Sequence, residues 1–223
     1  MDPALHPYLA LVVARAPASA REWLVARAAA LDASNIGLAY SGAGRRLGAV
    51  AVTLSADEEA RLEAAGLLVP RGWPLSAVGR AGLLALAMSR LDRPARVALA
   101  QGLFKTGDNA ERAALLAALS TLPEPEAYVE LAIDACRTHV QSVFEALACD
   151  NPYPARYFPE HHFNQMVLKS FFTGVAVKRI DGLAARRSPE LVRMAEAYAS
   201  ERRAAGRSVP ADLELVTSPP PAT

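Results

Sequence analysis

Cysteine is nearly missing from this chain: Cys136 and Cys149 are its only two among 223 residues. That is too few for a disulfide framework and suits reduced thiols in a cytoplasmic protein. An excess of one charge sign is lacking as well. The 24 Lys and Arg stand against 23 Asp and Glu, a formal net charge of +1, so no broad cationic field is present of the kind that draws in nucleic acid. Long apolar runs are also missing. The stretch Leu83 to Met88 lies between Arg80 and Arg90, well short of the roughly 20 residues that a membrane-spanning helix needs. A shorter apolar run inside Leu9 to Ala20 follows Asp2, His6 and Pro7 rather than Lys or Arg, which argues against a secretory leader.

Several chemical signatures are missing too. There is no nucleophile elbow, no phosphate-cradling glycine loop and no dinucleotide fingerprint. The glycines of "GAGRRLGAV" (Gly42 to Val50) lack the strand, loop and helix setting that would give them meaning. Neither the Cys nor the His spacing matches a zinc pattern. His161 and His162 are adjacent, so on a helix they diverge by about 100° and do not converge on one ion as a pair four apart would. The expectation is no metal and no cofactor.

What the chain does contain is helix punctuation. Ser55 with Glu58 makes a capping box, and Gly66 stands where a left-handed C-terminal residue is wanted. A second helix starts near Pro74 and stops by Asp92, which caps a third that ends at Gly107; Asp108 with Glu111 repeats the box. Pro125 opens the next, Thr138 with Gln141 can cap another, and Ser188 with Pro189 begins one that runs to Gly206. Strand signals are sparse, and Arg45 to Ser55 reads as a loop or one brief extended piece. The connections between Asp92 and Cys149 are short, so consecutive helices are expected to lie antiparallel. The fold class is all-α: an array of short antiparallel helix hairpins, superhelix-like or solenoid-like, in one domain over 1–213 with a disordered tail over 214–223.

One segment departs from the Ala, Leu, Arg and Glu vocabulary of the rest: "NPYPARYFPEHHFNQMVLKSFF", Asn151 to Phe172. Pro152, Pro154 and Pro159 predict an extended or turned connector until Pro159 starts a helix. On that helix Phe163, Met166, Val167, Ser170 and Phe171 fall on one side. His161, Gln165 and Lys169 form a polar row on another. In the plain structural reading, Phe158, Phe163, Phe171 and Phe172 supply core area, Tyr153 and Tyr157 cap it, and Lys169 is a solvated charge. Asn164 and Gln165 need partners if buried, from the connector or from a ligand.

The wording from Phe144 to Leu183, followed by "SPELVRMAEAYASERRAAGRSVPADL", resembles the EboA family, most closely from about Cys136 to Leu213. The residues that carry the resemblance are Asn151, Pro152, Tyr153, Pro154, Phe163, Asn164, Gln165, Met166 and Lys169. It implies a place in a bacterial secondary-metabolite gene cluster concerned with metabolite transport, and no established reaction. From residues and resemblance together we expect a non-catalytic cytoplasmic binding or adaptor protein that holds a small metabolite, or another protein of the same cluster, at Asn151, Tyr153, Tyr157, His161, Asn164, Gln165 and Lys169. The alternative is a small helical enzyme of that pathway using His139, His161 or His162 as acid or base. A third possibility is a scaffold in which the segment only locks helices.

Overall fold

The computed structural model describes residues 5–218, and among these the chain is all-α with no strand. It divides into two compact units, one reaching Leu131 and the other beginning at Ala132. The first contains α1 (Pro7–Arg15), α2 (Ala18–Ala29), α3 (Ile36–Leu47), α4 (Ala56–Ala64), α5 (Leu75–Met88), α6 (Arg93–Thr106) and α7 (Asn109–Ala118). Two single-turn 3₁₀ helices follow, and α8 (Val129–Ala135) begins in the first unit and ends in the second. The second continues with α9 (Gln141–Ala148), α10 (Tyr153–Tyr157), α11 (Glu160–Thr173), α12 (Leu183–Arg186), α13 (Pro189–Ala204) and α14 (Glu214–Thr217).

Local cap chemistry starts many of these helices as expected. Ser55 and Asp108 each accept a bond from the backbone of the third helical residue, whose Glu side chain answers back, closing both capping boxes. Asp92 caps α6 and Ser188 caps α13. Thr138 does not cap α9: its hydroxyl accepts from the Val140 backbone at 3.2 Å, and Val140 itself is the N-cap residue. The stretch Arg45 to Ser55 supplies the end of α3 and one isolated bridge from Ala51 to Pro74.

In the first unit the helices gather round α5 rather than stacking in chain order, with α1, α2, α3 and α7 packed on it. The sequence of α5 explains this. Leu83, Leu84 and Met88 are wholly buried, each worth about 1.5–3 kcal/mol of transfer free energy. Small residues let neighbours approach closely: a Cβ at Gly82 would come within 2.7 Å of the Leu9 side chain. One polar residue interrupts the helix. Arg80 is buried, and its Nε donates to the Tyr40 carbonyl at 3.1 Å while Nη2 lies 3.7 Å from the Glu111 carboxylate. The Tyr40 hydroxyl donates to the Glu111 carbonyl at 2.9 Å, so this buried charge is held by a network rather than by one contact.

In the second unit α9, α11 and α13 share the core. Helix α11 packs against both α9 and α13, and the residues buried there are Phe144 and Leu147 of α9, Phe163, Met166, Val167 and Phe171 of α11, and Leu191, Ala195 and Tyr198 of α13. Phe172 was expected there but is 65% exposed. It follows Phe171 by one position in the last turn, which rotates it out of the core, and it meets the Tyr198 ring edge-on at 4.7 Å.

The proline-rich connector is also different from expectation, since Tyr153–Tyr157 is a short helix. Pro152 sits just before it with φ −74° and ψ −8°, and Pro154 occupies its first turn, where no backbone N–H is needed. Before it, Asp150 adopts a left-handed φ of 49°, uncommon outside glycine. Arg179 holds it there: Nε and Nη2 donate to Asp150 Oδ2 at 2.9 and 2.7 Å, and the Asp150 N–H donates to the Arg179 carbonyl at 2.8 Å. Within the stretch expected as a tail over 214–223, Glu214–Thr217 is a helical turn with Val216 buried. Arg187 donates to the Val216 and Thr217 carbonyls at 2.5 and 3.3 Å. The part from 219 onward lies outside the described residues.

Candidate functional site

Helix α11 runs beside a cleft of about 190 Å³. His162, Gln165, Met166 and Lys169 line it from α11, at spacings of three and four residues that place them along one face. Ile133, Cys136 and Arg137 face them from α8 and the turn after it, and Phe158 enters from the connector. Ile133, Phe158 and Met166 are buried and give the cleft an apolar floor. Gln165 and Arg137 are exposed at its mouth. Among the described residues no carboxylate lines it.

Lys169 ties the two walls together. Its Nζ donates to the Cys136 and Thr138 carbonyls at 2.5 and 2.6 Å and sits 4.8 Å from the centre of the Phe144 ring. Those carbonyls follow the C-terminus of α8, where unpaired oxygens concentrate partial negative charge. Among the described residues Lys169 makes no ion pair. Loss of solvent pushes its pKa below the usual lysine value, opposed in part by Cys136. Burial pushes the Cys136 thiol up to about 12, with Lys169 pulling the other way.

The expected site residues separate into three groups. Gln165 and Lys169 line the cleft. Asn151, Tyr153 and Tyr157 do not; they build the connector. Asn151 is buried, its Nδ2 donating to the Ala146 carbonyl at 3.0 Å and its Oδ1 accepting from the Tyr153 N–H at 3.0 Å. Tyr153 is buried too, with ring centres 4.9 Å from Tyr157 and 6.4 Å from Phe158, the latter edge-on, so it backs the ring that reaches the cleft. His161 and Asn164 are not among the lining residues, although the His161 ring lies against that of His162. His161 is exposed, while Asn164 is fully buried, its Nδ2 3.4 Å from the Ser188 hydroxyl and its Oδ1 without a partner.

The polar row on α11 is therefore His162, Gln165 and Lys169 rather than His161, Gln165 and Lys169. Arg186 went unnamed in the sequence reading. Its guanidinium donates to the Ala155 and Phe158 carbonyls at 2.5 and 2.8 Å and lies 4.7 Å from the centre of the Phe163 ring. It closes the carbonyl end of α10 and fixes the backbone of Phe158, and no local signal marks an arginine 28 residues away for that task.

Of the histidines of the acid–base alternative, His162 is in the described lining of the cleft, and His139 and His161 are exposed and outside that lining. Neighbouring helix positions are set apart by about 100°, yet the rings of His161 and His162 lie 3.7 Å apart centre to centre, because two long side chains on neighbouring positions can bend toward each other. Among the described residues no group of three or more His, Cys, Asp or Glu side chains is placed to hold a metal ion, and no helix is long and apolar enough to cross a membrane.

Compared with models of protein families, residues 8–217 match the model described as metabolite traffic protein EboA. Comparison with curated proteins found no match, and comparison with solved structures found none either. With the match running through both units, the chain belongs to the EboA family of metabolite traffic proteins.

Proposed function

We propose that this protein is a non-catalytic cytoplasmic carrier in a secondary-metabolite pathway, holding one small molecule in the cleft beside α11. The observation that carries the reading is the composition of that cleft: an apolar floor of Ile133, Phe158 and Met166 beneath polar heads from Gln165, His162 and Lys169. An apolar pocket with a few converging polar groups is how small ligands are seated and oriented. Among the described residues the cleft is lined by no carboxylate that could serve as the second member of an acid and base pair. Gln165 and Lys169 would orient the bound molecule. Asn151, Tyr153 and Tyr157 would act indirectly, by keeping Phe158 in place. The family's description as a metabolite traffic protein supports the same reading.

The test is to purify the protein, denature it and identify any released small molecule by mass spectrometry, alongside Gln165→Ala. Gln165 is exposed, so its replacement should leave the melting temperature within about 1 °C while retained ligand falls severalfold. Full retention of the same molecule by Gln165→Ala and by Phe158→Ala would remove the cleft as its seat.

A further inference from the structure

The charges around the cleft are one-sided. Lys169 and Arg137 both line it, His162 stands with them, and none of the lining residues is acidic. Lys169 directs two donors to backbone carbonyls and has no carboxylate opposite it, leaving one proton of its ammonium. Arg137 pairs with Asp134 at 3.2 Å, but the two side chains are 78% and 70% exposed. Such a solvent-screened pair competes weakly with a ligand. An anion seated here would meet two cations while its remainder lay on Ile133, Phe158 and Met166.

The wall limits how much negative charge fits. The carbonyl end of α8 faces the same space through Cys136, and the partial negative charge there is only partly offset by Lys169. A dianionic phosphate would be set against that end with few donors to satisfy its three oxygens, whereas a carboxylate carries one charge and has two oxygens to satisfy. Size points the same way. The space of about 190 Å³ is a little larger than the cavity of about 150 Å³ that accepts benzene.

We infer that the cleft takes a small organic carboxylate with an aromatic or branched apolar body, its charge met by Lys169 and Arg137. This rests on the binding reading above and adds to it the class of ligand.

The chain has four methionines, and Met166 is in the cleft floor while Met88 lies in the first unit and Met194 on α13. Carbon-13 methyl labelling of methionine therefore gives a local reporter. Benzoate, benzamide and phenyl phosphate are titrated into the full chain. Benzoate is expected to shift the Met166 methyl saturably, leave Met88 in place, and bind about tenfold or more tightly than benzamide. Arg137→Gln, at an exposed position, should bring benzoate down toward the benzamide level, and Lys169→Met should do so more completely. Because Lys169 also anchors backbone, the Arg137 variant decides the matter if Lys169→Met fails to fold. Benzamide binding as tightly as benzoate, phenyl phosphate binding more tightly, or benzoate affinity unchanged in Arg137→Gln would each overturn the carboxylate assignment and leave the cleft as a binding site. A Met166 methyl that none of the three compounds moves would overturn both.

Discussion

Replacing Asn151 with alanine tests whether the connector is held by its buried amide. The bonds lost include one to the Ala146 carbonyl and one from the Tyr153 N–H, each 3.0 Å long. These partners are backbone groups, and Asn151 itself is 1% exposed, so water has poor access to replace it. An orphaned buried backbone group costs about 1–3 kcal/mol, which puts the total near 3 kcal/mol after partial relaxation. For a chain of this length that corresponds to a fall of about 6–12 °C in melting temperature, read by calorimetry or circular dichroism. Asn164→Ala is the internal comparison. Asn164 is 0% exposed, but one amide atom has no partner and the other makes a single contact at 3.4 Å. Its loss should cost less than that of Asn151 despite the deeper burial. If Asn164→Ala proved as destabilising as Asn151→Ala, or Asn151→Ala melted within about 1 °C of the parent, ranking these residues by their hydrogen-bond partners would be refuted.

Two further outcomes follow from the titrating groups. With the thiols of Cys136 and Cys149 pushed up to about 12 and about 11 by burial, the thiolate fractions at pH 8 are about 10⁻⁴ and 10⁻³, against roughly a quarter for a free thiol. Disulfide-exchange labelling of the native protein should therefore run a few hundredfold or more slower than in urea, and stoichiometric labelling within minutes would contradict it. In the first unit Arg15 donates to Glu58 at 2.6 Å and holds that carboxyl down at about 2, helped by the Ser55 backbone. A depressed carboxyl contributes its stability above its unfolded value of 4.5 and loses it as pH falls from there toward about 2. Unfolding free energies from urea titrations at pH 6 and pH 3 should differ by about 1 kcal/mol less in Glu58→Gln than in the parent, a modest share because the pair is partly exposed.

The helix starts were legible because a cap is a local object: Ser55 meets Glu58, Asp92 meets Ala95 and Asp108 meets Glu111, all three residues apart. The oddity of Asn151 to Phe172 was legible too, as was the inward side of α11 from Phe163 to Phe171. The row bordering the cleft was misjudged by one residue, since periodicity gives the faces of a helix but not which of two neighbouring faces meets a space. That space depends on Lys169 reaching the carbonyls of Cys136 and Thr138, 33 and 31 positions earlier. No pattern in α11 announces such a reach. The connector misled for a different reason. Pro152 and Pro154 read as breakers, yet at the first turn of a helix a proline removes only a donor that has no acceptor there.

The anchoring of Lys169 bears on how fast and how selectively anything could bind beside it. A free lysine must surrender the rotamer freedom of four flexible bonds when it grips a ligand, a loss of order 0.5–1.5 kcal/mol for such a side chain. Here folding has already stilled the chain, two protons of the ammonium are committed to carbonyls, and the direction of the third is set by them. A molecule held in the proposed cleft would meet a charge whose position is fixed before it arrives, and one whose acceptor fell out of reach of that position would gain little from it.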